Sequence, residues 1–212
     1  MRITVENGNT SKDHYIHRAL LQKKSPYFAA LPNFKEGKDN HLVLKDINGE
    51  AFQHIVQWLY TGQFSHNLTN HGNHGTPIIL TYAAADRLMM LKCKNMAIDK
   101  LRVRFRTHYA EIRNLVAVNQ LGYPPSANIV TCIMDQFVYD NIERQKTDIS
   151  GEKKEDFFKL DREYGFELAC KLTSAARTMK KHKLVDPATC TGCKYHEHAE
   201  GEVYHLLRKF DV

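Results

Sequence analysis

Cysteines and histidines that could bind a metal ion lie together near the C-terminus of the chain. Cys190 and Cys193 are separated by two residues, and His196 and His198 follow directly. The Cys-x-x-Cys spacing lets two thiolates share one tetrahedral zinc ion, and imidazole nitrogens can complete such a site. These four residues are therefore a candidate structural zinc site, with His205 as a further donor.

The same stretch has a second interpretation, in which no metal is bound. Its histidines follow the cysteines too closely to match a standard zinc finger, in which the two ligand pairs are well separated. An exposed, flexible tail can also contain histidines by chance. We expect such a tail and no cofactor, and the zinc site stays as the alternative.

His17 is the other residue that invites a chemical role. It lies between Ile16 and Arg18, and no nucleophile or acid is spaced to complete a catalytic triad with it. The sequence contains no Gly-x-Ser-x-Gly, P-loop or Gly-x-Gly-x-x-Gly motif. We therefore expect no enzyme activity and interpret His17 as a structural residue that hydrogen-bonds the backbone.

Composition and charge are ordinary for a globular protein. The chain has 212 residues, of which 42% are hydrophobic and 25% charged, and its formal net charge is +6. A basic excess of this size permits binding to nucleic acid without arguing for it. The runs "KLRVRFR" and "MKKHK" are more typical of solvent-facing helix surfaces, so nucleic acid is not an expected partner.

Cysteine usage and hydropathy bear on the compartment. The five cysteines are an odd number, and three of them stand alone in helix-like stretches, which indicates reduced thiols. No apolar run approaches the ~20 residues of a membrane span, and the N-terminus has no apolar signal core. We expect a protein of the cytoplasm, the nucleus or both, without a membrane segment.

Short strand and helix patterns alternate in the first half of the chain. Strands are predicted at "RITVE", "HYIH" and "HLVLKD", with "NGN" as a hairpin turn and short helices at "RALLQKK" and "PYFAAL". Ser25 is expected to cap the second of these helices, with Pro26 at its first position.

The stretch "FQHIVQWLYTG" has the clearest helical pattern. Its apolar residues follow one stripe at helical spacing, and they are Phe52, Ile55, Val56, Leu59 and Tyr60. Asp46 or Asn48 can cap its start, and Gly62 ends it. Trp58 lies off the stripe, so we expect it to be only partly buried.

The second half is predicted to be helical. Helices are expected over about 77–90, 92–108, 109–122, 127–145 and 156–183, with Ser126 capping the fourth and an interruption near Gly165 in the last. Polar stretches at 65–75 and 146–155 are expected to be loops.

The order of these elements and several short motifs resemble the BTB/POZ domain, in the form common among fungal proteins. The matching motifs are Ile16-His17-Arg18, Ser25-Pro26-Tyr27-Phe28, Phe34-Lys35-Glu36, Leu42-Val43-Leu44 and Phe52 through Gly62. After the polar loop the matching residues are Tyr82, Ala85, Asp86, Leu88, Leu91, Asn95, Ala97, Ile98, Asp99 and Leu101. The resemblance covers about residues 2–108.

The resemblance implies an α+β fold, with BTB/POZ-like helices around a small sheet and an all-helical C-terminal extension. Residues 1–108 would form the BTB/POZ-like domain, 109–185 the helical extension, and 186–212 a tail containing histidine and cysteine. Many BTB/POZ domains begin with a helix and a strand that exchange between subunits, and this chain begins inside that strand. Strand-exchanged dimers are therefore not expected: the chain is either a monomer or a truncated sequence, and a homo-oligomer stays open as an alternative.

The resemblance also implies a protein–protein interaction module without catalytic activity. Some members connect a cullin scaffold to a recruited substrate in a ubiquitin ligase, and an aromatic-x-Glu loop helps them to dock the cullin. Phe34 and Glu36 stand at that place here. A partly exposed Phe34 would fill a groove on the partner while Glu36 fixes the orientation. Alternatively, Phe34 folds back onto the core.

A second function stays open beside the adaptor. In it the BTB/POZ domain assembles a nuclear regulator, and the basic helical half contacts DNA or a chromatin protein.

Overall fold

The computed structural model of the chain describes residues 1–8, 10–65, 68, 75–144, 154–180, 182–190 and 192–198. Most of the two predicted polar loops lie outside these ranges, and so does His205. The chain divides into two compact units, one of residues 1–73 and 77–97 and the other of residues 74–76 and 98–212. The fold is α+β, with one small sheet and many helices, as predicted.

The small sheet contains β1 (Arg2–Asn7), β2 (Thr10–Tyr15) and β3 (His41–Leu44), in the order β2-β1-β3. β1 pairs antiparallel with β2 and parallel with β3. Asn7 pairs with Thr10, and Gly8 has a φ of +58°, as a tight hairpin requires. β2 therefore begins before the predicted "HYIH", because so short a turn starts the return strand at once.

Three short helices connect β2 to β3. They are α1 (Arg18–Lys24), α2 (Pro26–Ala30) and α3 (Lys35–Lys38), with a 3-10 turn at Leu31–Asn33. The predicted cap of α2 is confirmed, since the Ser25 hydroxyl accepts a hydrogen bond from the Phe28 backbone nitrogen at 3.2 Å. The same hydroxyl donates to the Leu88 carbonyl at 2.6 Å, which ties α2 to the rest of the first unit.

Helix α4 (Gly49–Thr61) supplies much of the core against β1 and α1. Asn48 caps its start and Gly62, with a φ of +72°, ends it, as predicted. The expectation for Trp58 is wrong, because this side chain is only 3% exposed. The prediction assumed that α4 packs through a single apolar stripe, whereas α4 contacts both β1 and α1. The Lys24 ammonium at the end of α1 lies 5.2 Å from the centre of the Trp58 ring.

The remaining helices are α5 (Thr76–Arg87), α6 (Leu91–Thr107), α7 (Ile112–Gln120), α8 (Asn128–Ile142), α9 (Lys154–Phe157) and α10 (Arg162–Met179). In the second unit α8 packs against both α7 and α10. Within the described residues, no helix combines the length and the apolar character that a membrane crossing would need.

Two details of the helical half differ from the sequence prediction. Ala127, not Ser126, takes the cap position of α8, and it makes no side-chain hydrogen bond. The predicted interruption near Gly165 is wrong, because α10 runs through this residue and the break lies at residues 158–161 instead. A glycine on an exposed helix face lowers stability without ending the helix, and a Cβ at Gly165 would meet nothing within 4 Å.

The segment after α10 is packed rather than free. Ala188 is fully buried and Tyr195 is 1% exposed. The Tyr195 hydroxyl lies 3.0 Å from the Asp135 carboxylate on α8, and Lys194 forms an ion pair with the same carboxylate at 2.7 Å. The expectation of an exposed tail with chance histidines is therefore wrong for the described residues up to 198.

Candidate functional sites

Phe34 is presented outward at the start of α3. It occupies the cap position of this short helix with an extended backbone, and 57% of its surface is exposed. Glu36 is exposed in the first turn of the same helix. The alternative in which Phe34 folds onto the core does not match this placement.

The backbone around Phe34 is held in place by Leu31 and Gly37. The Phe34 nitrogen donates to the carbonyl of the buried Leu31 at 2.9 Å. Gly37 packs on the same carbonyl, where a Cβ would lie 2.0 Å from the Leu31 oxygen. Only glycine fits that position, so the chain path that exposes Phe34 and Glu36 depends on it.

His17 lies on the surface of the first unit. It is exposed, its Nδ1 lies 3.0 Å from the Tyr60 hydroxyl, and its backbone nitrogen donates to that hydroxyl at 3.3 Å. The partner of the ring is thus a tyrosine side chain rather than the backbone that the sequence suggested. The arrangement connects the junction between β2 and α1 to the end of α4.

Three of the four predicted zinc ligands come together in the second unit. The ligand atoms of Cys193, His196 and His198 all lie within 4.8 Å of one another. The Cys190 thiol is directed elsewhere, since it donates to the Pro187 carbonyl at 3.1 Å. The donor set of one thiol and two imidazoles is one that suits zinc.

Residues on α6 position this group, and sequence reasoning missed their role. The Asp99 carboxylate lies 2.9 Å from Nε2 of His196, and it also pairs with Arg102 at 3.3 Å. Arg102 in turn donates to the Cys190 carbonyl. About ninety residues separate α6 from the histidines along the chain, so no local motif connects them.

Two arginines of the basic run on α6 are buried, so the expectation of a solvent-facing run is wrong for them. Arg102 is 3% exposed and Arg104 is 8% exposed. Burial lowers the pKa of Arg104, with a smaller opposing effect of Glu111. Arg102 and Arg104 are therefore not exposed for contact with DNA, whereas Arg106 of the same run is exposed.

The thiols of Cys93 and Cys132 are buried and unreactive. Burial raises the pKa of Cys93 and that of Cys132 well above the ordinary value, so both stay protonated. A thiol reacts as its thiolate, so neither residue suits nucleophilic catalysis.

Comparison with known proteins assigns the first unit to a class. Residues 1–103 match the family model of the BTB/POZ domain. Residues 1–103 therefore form a BTB/POZ domain, a fold that generally serves as a protein–protein and homo-oligomer interaction module rather than as an enzyme. No curated protein matches the chain significantly.

Proposed function

We propose that this BTB/POZ protein is a substrate adaptor of a cullin-type ubiquitin ligase. In this role the BTB/POZ domain binds the cullin scaffold through Phe34 and Glu36, and the helical half carries the recruited substrate. The protein would act in the cytoplasm or the nucleus. The observation that carries the proposal is the exposed Phe34 side chain on a backbone that Gly37 and Leu31 fix.

Exposure of Phe34 is consistent with an anchor in an interface. Interfaces gain most of their binding energy from a few well-buried aromatic or arginine side chains. Fully burying an exposed phenylalanine contributes roughly 1.5–3 kcal/mol, and covering the exposed 57% of Phe34 would contribute a corresponding part of this. Because the backbone at Phe34 is already held by hydrogen bonds, little order has to be imposed on binding.

Charged residues surround the proposed anchor. Glu36 is exposed two positions after Phe34, and Lys35 and Lys38 are exposed on the same short helix. Charges at the rim of an interface set the orientation and the association rate more than the affinity. We therefore assign the affinity mainly to Phe34 and the choice of partner to Glu36.

The test is affinity capture of cullins from cells that express the tagged full-length chain. We expect the native chain to capture a cullin. The double variant Phe34→Ala with Glu36→Ala should bind the cullin at least about tenfold more weakly, the equivalent of ~1.4 kcal/mol of binding free energy.

Matched controls separate the loop from general effects of the substitutions. Phe158→Ala removes a side chain that is even more exposed, at 86%, and lies outside the BTB/POZ match. Glu50→Ala removes an exposed glutamate from the first turn of another helix. Both controls should capture cullin normally, and unchanged capture by the Phe34 and Glu36 variant would contradict the proposal.

A further inference from the structure

We propose that Cys193, His196 and His198 bind a zinc ion that fixes the C-terminal segment onto the second unit. The structure brings their three ligand atoms within 4.8 Å of one another. In a tetrahedral zinc site the bond lengths of about 2.0–2.1 Å to nitrogen and about 2.3 Å to sulfur place ligand atoms about 3.4–3.6 Å apart. The three groups therefore need to approach one another by at most about 1.2–1.4 Å.

The segment that carries the ligands is anchored to α8 between two of them. Tyr195 is buried, and its hydroxyl lies 3.0 Å from Asp135 on α8. The His196 backbone nitrogen donates to the Cys193 carbonyl at 3.0 Å, which closes a turn between the two ligands. This turn holds both ligands on one side of the segment, as a shared metal ion requires.

Asp99 is the positioning residue of the proposed site. Its carboxylate accepts a hydrogen bond from Nε2 of His196 at 2.9 Å, which leaves Nδ1 as the nitrogen for the metal. Carboxylates that hold a ligating imidazole in this way fix its tautomer and ring orientation, and their loss weakens metal binding by about 10–100-fold. Asp99 itself is fixed by Arg102 at 3.3 Å.

Cys190 is assigned outside the ligand set. Its thiol donates to the Pro187 carbonyl at 3.1 Å, and its carbonyl accepts from Arg102. We therefore expect a site with one thiolate and two imidazoles, in which a water molecule or another exchangeable group takes the fourth position.

The first experiment measures zinc in the purified, untagged full-length chain after dialysis against zinc-free buffer. We expect one zinc ion per chain, and its loss in Cys193→Ser and in His198→Ala. Cys170→Ser and His182→Ala remove an exposed cysteine and an exposed histidine elsewhere in the second unit, and both should keep the metal. Zinc retained by Cys193→Ser and His198→Ala, or lost equally from the controls, would overturn the proposal.

Cobalt substitution gives a readout that does not depend on the folding of any variant. Cobalt bound to the native chain should show the strong visible bands of tetrahedral coordination and a thiolate charge-transfer band. A weak octahedral spectrum without the thiolate band would overturn the proposal. Zinc retained by Cys190→Ser would support the assignment of Cys190 outside the ligand set, and zinc lost from this variant would overturn that assignment.

The role of Asp99 has a separate test. Asp99→Asn should bind zinc about 10–100-fold more weakly in competition with a chromophoric chelator. A residue that only stabilises the fold would leave this affinity unchanged at temperatures where the variant is folded, and that result would remove Asp99 from the site.

Discussion

At the scale of single residues, Gly37 is required by the close approach of the Leu31 carbonyl. Any side chain at this position would meet the Leu31 carbonyl, with a Cβ only 2.0 Å from its oxygen. The backbone of Leu31 and that of α3 would have to move apart. Because Phe34 is held by the same carbonyl, the stability of the first unit and the presentation of Phe34 depend on one glycine.

Gly37→Ala is therefore expected to lower the free energy of unfolding by about 1–3 kcal/mol, the usual cost of forcing extra atoms into a packed site. Denaturant unfolding measures the effect. Gly49→Ala makes the same substitution at the start of α4, where a Cβ would meet nothing within 4 Å. It should change stability by less than about 0.5 kcal/mol, and an equal effect of both substitutions would show that the close approach at Gly37 is not a constraint.

At the scale of elements, the Ser25 side chain both caps a short helix and bonds to a distant part of the first unit. The Ser25 hydroxyl accepts a hydrogen bond from the Phe28 nitrogen and donates one to the Leu88 carbonyl. The same hydroxyl therefore caps α2 and connects this helix to the residue after α5. Asn48 at the start of α4 acts only as a helix cap, since its side chain accepts a hydrogen bond from the Ala51 nitrogen. Helices as short as α2 depend on such tertiary connections.

Ser25→Ala is expected to cost more stability than Asn48→Ala. Loss of a cap alone costs about 1 kcal/mol. At Ser25 the buried Leu88 carbonyl also loses its donor, which adds about 1–3 kcal/mol. Urea unfolding of the two variants measures the difference, and equal losses would contradict a connecting role for Ser25.

At the scale of the whole molecule, the Asp135 carboxylate connects two helices and the C-terminal segment of the helical half. Asp135 on α8 pairs with Lys171 on α10 at 2.8 Å and with Lys194 in the C-terminal segment at 2.7 Å. Burial alone would raise the pKa of Asp135, but the hydrogen bonds and charges of these two lysines lower it overall. The charged carboxylate therefore stabilises the native state above its unfolded pKa of about 3.9, and this contribution is lost as the pH falls further.

Asp135→Asn should accordingly lower the melting temperature at pH 7, by the equivalent of about 1–2 kcal/mol. The difference from the native protein should shrink as the pH falls below about 4, because the unfolded state then binds the proton first, and it should disappear once the native carboxylate is protonated below its lowered pKa. Asp46→Asn is the control, since its pair with Arg87 is solvent-exposed and should contribute little at any pH. A difference that stays constant down to pH 2 would contradict the ion-pair role of Asp135.

Local patterns in the sequence determined the BTB/POZ resemblance, the helix start at Ser25 and the stop at Gly62, because caps and glycine turns act over a few residues. They also brought Cys193, His196 and His198 to notice as donors. Only the tertiary structure decided that Trp58 is buried, that the segment around Tyr195 is packed, and that Asp99 faces His196. The physical reason is distance along the chain: burial and metal-site geometry depend on elements that lie tens of residues apart, and no local pattern records which of them will meet.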